Sequence, residues 1–160
     1  MGVVEDRLGR IGIVLPSPDR PIANYVTEVQ VGRLLFLAGA GPSWSYYKKS
    51  PGGGVSRGKL GVDVDITQGY NAARSVGLVH IARLKKVLKE LDRIKRIVKI
   101  LGMVNCSPKF TEQSSVVDGF SDLMMEVFGD LGLHARSVVG MATLPFNIPV
   151  EIEMVVEIID

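Results

Sequence analysis

A chain of 160 residues, 46% hydrophobic and 22% charged, has the size and apolar content of one folding domain, spanning residues 1–160, rather than of a disordered segment. Nineteen basic against seventeen acidic residues leave a net charge of +2, which argues against a nucleic-acid partner or an anionic membrane surface. Residues 1–10 carry charges where a signal peptide needs an apolar run, and no stretch approaches ~18 uninterrupted apolar residues, so the expected location is the cytoplasm, without a membrane span.

The N-terminal third reads as strands: residues 11–15, then 26–31 and 33–39 joined tightly at Gly32 as a hairpin. Residues 42–60 read as a loop around Ser50-Pro51-Gly52-Gly53-Gly54, too short for an interdomain linker, with Trp44, Tyr46 and Tyr47 as the makings of a lid. From Asp65 the period becomes helical, with Ile66, Tyr70, Ala73, Gly77, Ile81, Leu84, Leu88 and Leu91 on one side.

Residues 97–104 form an apolar run broken only by Lys99, the pattern of a strand in mid-sheet. Thr111 can cap a second helix with Val116, Phe120, Leu123 and Val127 in one stripe, ending at Gly129 or Gly132. Residues 136–144 and Val150–Ile158 are the last strands, the latter in strict alternation with Glu151, Glu153 and Glu157. The order β-β-β-α-β-α-β-β gives an α/β (α+β) domain with a mixed sheet and two helices on one face. Apolar residues on both faces of the central strands then require a partner for the bare face, most simply another copy of the chain.

Cys106, the single cysteine, excludes an internal disulfide and a multi-cysteine zinc cluster, and His80 and His134 lack zinc-site spacing, so no metal is expected. The glycine runs lack a dinucleotide fingerprint or a P-loop ending, and no cofactor is inferred.

His134-Ala135-Arg136-Ser137-Val138-Val139-Gly140, followed by Leu144-Pro145 and Val150-Glu151-Ile152-Glu153, resembles the signature of the reactive-intermediate deaminase (RidA/YjgF, endoribonuclease L-PSP-like) family. Gly58-Lys59-Leu60-Gly61 is similar to that family's G-x-L-G loop, and Ala23-Asn24-Tyr25-Val26 to its G-P-Y segment. The resemblance implies a chorismate-mutase-like fold and a homotrimer with ligand pockets between subunits. It also implies hydrolytic deamination of enamines or imines on a small carboxylate-bearing metabolite, giving ammonia and a 2-oxo acid. Arg136 would bind the carboxylate and Glu151 would handle water, the two catalytic residues, with Tyr25, Gly39, Asp118 and Val138 around the substrate. Two positions depart from the best-known members: Ala38 precedes Gly39 where they have Ser, and Val138 stands where they have Cys. Asp118 is nearest to their helix asparagine, offset by one position, and its charge would repel an anionic substrate. These departures point away from aminoacrylate.

The chemistry suits the residues. Arginine is permanently charged and grips a carboxylate through two parallel hydrogen bonds, and a carboxylate in a partly dry cleft is an adequate base for water. If the last two strands formed one hairpin turning near Asn147, Arg136 would face Ile158, seven residues and roughly 24 Å from Glu151. A shared site would then need two subunits.

Each of these residues also has a plainer reading. Arg136 can tie strand to helix by a salt bridge, Glu151 can be a solvated strand carboxylate, and Tyr25 can pack at an interface. His80, on the helix stripe, reads as a satisfied core histidine, and His134 as a surface loop residue. The basic run Arg83, Lys85, Lys86, Lys89, Arg93, Lys95 and Arg96 reads as a solvated helix face, with an endoribonuclease as the minor alternative. The main rival to a deaminase is a non-catalytic trimeric binding protein for small carboxylates, in keeping with Ala38 and Val138.

Overall fold

The computed structural model describes residues 2–18, 20–42 and 56–159. The chain opens with a helix, α1 (Val3–Arg10), that docks Val4 and Leu8, one turn apart, against the rest of the molecule. Gly2 offers no side chain to cap it. Asp92 does so from a distance, its carboxylate accepting from the Val3 and Val4 N–H groups at 2.7 and 2.9 Å, where a helix leaves its first donors unpaired.

Residues 11–15 correct the expectation of a first strand. Ile11 ends α1, Gly12 turns at φ +72°, and the segment runs on without a strand partner. Ile13 and Leu15 still pack against the core. Their alternation therefore records which side is buried rather than a hydrogen-bonded ladder.

β1 (Glu28–Val31) and β2 (Leu34–Ala40) form the expected hairpin, with Val31 opposite Leu34 and Gly32 at φ +58°, a conformation glycine adopts without a steric penalty. α2 (Ile66–Leu88) starts at a capping box: Asp65 accepts from the Gln68 N–H at 2.7 Å, and the Gln68 side chain accepts from the Asp65 N–H at 3.0 Å. After a short 3-10 turn comes β3 (Ile94–Asn105), then α3 (Gln113–Phe128), β4 (Ala135–Met141) and β5 (Val150–Ile158). Thr111 does not cap α3. The helix begins two residues later, with Glu112 at its N-cap and no side-chain hydrogen bond there, and of the two candidate glycines Gly129 ends it.

The sheet order is β1-β2-β5-β3-β4, antiparallel except for the β3–β4 pair, which α3 connects by crossover. α2 and α3 lie together on one face. At Gly119 of α3 a Cβ would collide with the Tyr70 carbonyl, so a glycine is what lets the helices approach this closely. Beneath them the sheet contributes Ile97, Ile100, Val104, Ile152, Met154 and Val156 to the core, together with Leu35 and Leu37 of β2. On the other face Val29 and Phe36 remain 51% and 44% exposed, alongside Val31, Leu34 and Val139. No described helix is long and apolar enough to cross a membrane.

Candidate functional site

β4 and β5 are not the hairpin that their closeness in sequence suggests, because β3 lies between them. Residues 142–149 cross over the end of β3. Asn105 holds this crossing: its N–H donates to Pro149 at 2.9 Å, and its side-chain amide donates to Asn147 Oδ1 at 3.0 Å and to the Ile148 carbonyl at 3.2 Å.

Arg136 pairs in register with Ile100, which is fully buried under the helices. Directly opposed residues share a face, so Arg136 points toward the helical layer. There its guanidinium meets α3, with one terminal nitrogen 2.8 Å from Asp118 Oδ1 and the other donating to Ser121 Oγ at 3.1 Å. Asp118 and Ser121 present to one strand residue because three positions on a helix return to the same side.

Ser121 Oγ also lies 3.0 Å from His134 Nε2, and His134 Nδ1 lies 2.6 Å from the Gly132 carbonyl. A carbonyl can only accept, so Nδ1 carries the proton. The neutral ring then accepts at Nε2 from the Ser121 hydroxyl, whose lone pairs stay available to Arg136. Burial pulls His134 below the usual imidazole value, and the Arg136 charge acts in the same direction, although the bond to Gly132 opposes both. His134 is thus a half-buried member of this network rather than a surface loop residue.

Glu151 pairs in register with Met103, an odd number of residues from Ile100, and so leaves the sheet from the bare face. Its carboxylate sits over Gly39, where a Cβ would collide with it. Burial, and then the neighbouring Glu153 carboxylate, push Glu151 above the usual carboxylate value. Two interstrand spacings and three residues along the strand separate it from Arg136, about 14 Å between backbones.

The structure therefore divides the expected site residues. Arg136, Asp118 and Val138 gather on the helix side of the edge strand, where Val138 packs against the core. Gly39 and Glu151 meet on the opposite face. Tyr25, 46% exposed, precedes β1 at the far edge of the sheet, roughly 19 Å from β4. Ser121 escaped the sequence reading, although its spacing from Asp118 was a usable signal. Trp44, Tyr46 and Tyr47 lie outside the described residues.

His80 is a core histidine, its Nε2 2.7 Å from the Ile152 carbonyl, which it links to α2. The basic run is dispersed. Arg83 is buried and donates to the Ala38 carbonyl, Lys85 pairs with Glu5 and Lys95 with Glu157. No group of three His, Cys, Asp or Glu among the described residues is placed to hold a metal.

Comparison with known proteins adds the following. Residues 5–158 match the model of the family described as "YjgF/chorismate_mutase-like, putative endoribonuclease". Protein TCP17 of Trypanosoma cruzi is 43% identical over 158 residues, 98% of this chain and 95% of that protein. The crystal structure of Atu1372 from Agrobacterium tumefaciens, a protein of unknown function, superposes with a TM-score of 0.85 at 39% identity, covering 98% of this chain and 93% of that one. A Shewanella oneidensis protein described as a "putative endoribonuclease" gives a TM-score of 0.87 at 32% identity, over 98% of this chain and all of that one.

Proposed function

This chain belongs to the YjgF/chorismate mutase-like family, and we propose that it is a cytoplasmic hydrolase of reactive enamines and imines that carry a carboxylate. The net reaction adds water across the C=N bond of a 2-imino acid and expels ammonia, leaving a 2-oxo acid. No redox partner is required, and the electrophile arrives activated, so modest general-base help suffices.

The observation that carries this reading is the state of Arg136. Two of its five N–H donors are engaged by Asp118 and Ser121, leaving three for a substrate carboxylate, and its side chain is 27% exposed at the edge strand. Glu151, half-buried and already biased toward holding a proton, suits a group that takes one from water.

The two residues reach one substrate only if the edge of one sheet abuts the bare face of another. The helix side of the first edge and the bare face of the second then form a common cleft. A homotrimer arranged this way also covers Val29, Val31, Leu34 and Phe36, removing apolar area from water at ~25 cal/mol per Å².

The test is ammonia release from freshly generated 2-imino acids of several side-chain sizes, comparing native protein with Arg136→Ala. Acceleration that the variant loses supports a deaminase. No acceleration over buffer for any of them leaves the second reading, a small-carboxylate binding protein. That reading is favoured by one observation: Arg136 and Glu151 leave the sheet from opposite faces, and a pocket that only binds needs Arg136 alone.

A further inference from the structure

Beyond the C-terminal ends of the parallel strands β3 and β4 lies a cavity of about 700 Å³ that contains neither Arg136 nor Glu151. Gly140, on its wall, stands four residues past Arg136 on the same strand, about 13 Å away, so this is a separate place on the molecule. The crevice past the carboxyl ends of parallel strands is a recurrent place for ligands, because the strands diverge there and their last backbone groups are free to act.

Part of the lining is polar. The Lys59 ammonium donates to Asn105 Oδ1 at 2.6 Å and to the Ala142 carbonyl, two neutral acceptors that fix its position without neutralising it. Among the described residues no carboxylate pairs with this ammonium; Asp63 bonds the Lys59 backbone N–H instead. A lysine has three N–H donors, so one donor and the full charge remain to be used. Ser107 and Gln113 also line the cavity, Gln113 held by its amide on the Phe110 carbonyl at 2.7 Å. Val62, Pro108, Phe110 and Met141 supply the apolar part of the lining.

We propose that this cavity is a second ligand site, taking a small monocarboxylate with an apolar body, its carboxylate on Lys59 and its body against Phe110 and Met141. One fixed positive charge matches one negative charge, and the apolar wall gives an organic anion contacts that inorganic phosphate cannot use. The site does not depend on deaminase chemistry. It stands even if Arg136 turns nothing over.

The experiment uses the full chain and benzoate as probe, followed by backbone amide NMR shifts at Ser107, Phe110 and Gln113, with benzamide as the uncharged counterpart. Benzoate shifts these amides, and benzamide binds about tenfold more weakly. Read at these three amides alone, Lys59→Met loses affinity by at least about tenfold, while Arg136→Ala, which removes only carboxylate binding at the other site, keeps the native affinity there. Because Lys59 also braces Asn105, Val62→Trp provides a second variant. Val62 lines the cavity and is 70% exposed, so an indole there has room to occupy the cavity and block benzoate while the Lys59 side chain is kept. The proposal is overturned if benzoate produces no shift up to about 10 mM, if Lys59→Met or Val62→Trp binds normally, or if Arg136→Ala abolishes binding.

Discussion

Arg136 and Glu151 leave the sheet from opposite faces, one in register with Ile100 under the helices, the other with Met103 on the bare side. Fifteen residues apart in sequence, they belong to strands that flank β3 rather than each other. No rotamer change within one chain brings a carboxylate through a hydrogen-bonded sheet, so chemistry that uses both residues uses two chains.

In the proposed reaction Asp118 would compete with the substrate carboxylate for the Arg136 guanidinium, with which it pairs at 2.8 Å. Asp118→Asn keeps the shape and removes the charge, and a partly exposed ion pair of this kind is worth up to ~1 kcal/mol. The variant is expected to lower KM for anionic imino acids by up to about fivefold with little change in kcat. Steady-state kinetics checks this, and a raised KM would show that Asp118 positions Arg136 for its ligand.

Ser121 joins Arg136 to His134, and Ser121→Ala leaves the His134 Nε2 acceptor without its donor. The expected loss is ~1–2 kcal/mol in denaturant unfolding, together with a fall in kcat/KM as Arg136 loses a brace. Stability equal to that of the native protein would mean that water replaces the hydroxyl at no cost.

The upward shift of Glu151 has a definite sign. Its folded value exceeds the unfolded one, so the folded state binds that proton more tightly, and ionised Glu151 costs stability at every pH above the folded value. Glu151→Gln is expected to melt higher than native protein at pH 7, the difference closing as the pH falls through the raised folded value and vanishing below the ordinary carboxylate value. Thermal melts across pH check it; a variant that melts lower at pH 7 would mean that the carboxylate makes favourable contacts in its charged form.

Gly119→Ala places a methyl group against the Tyr70 carbonyl, between helices with no slack. Overpacking of this kind costs ~1–3 kcal/mol, or a Tm lower by roughly 2 to 12 °C for a chain of this size. Differential scanning calorimetry reads it directly, and an unchanged Tm would show that α2 and α3 can slide apart freely.

Much of the fold is legible in the residues because each element carries its own period. β5 alternates without a break, α2 opens on the Asp65–Gln68 box, and Gly32 marks the hairpin. The misses lie where burial and hydrogen bonding part company. Ile13 and Leu15 are packed like strand residues but have no ladder partner. α1 is capped by Asp92, some 90 residues away, which no local pattern reveals.

The site was legible as residue types but not as a place. That β3 inserts between β4 and β5 is a matter of strand order, and alternation is silent on it. The face of Arg136 follows from its pairing with Ile100, and the partner it meets there, Asp118, confirms that tying strand to helix is part of what this arginine does.

The measurement that bears most directly on the proposed two-chain site is ammonia release by mixed assemblies. Arg136→Ala and Glu151→Ala protein, each expected to be nearly inactive alone, are unfolded together and refolded at equal amounts. Random assembly gives about a quarter of the clefts both native residues, so about a quarter of native activity should return. Activity that stays at the level of the separate variants, or a single variant that is fully active alone, would contradict a site built from Arg136 of one chain and Glu151 of the next.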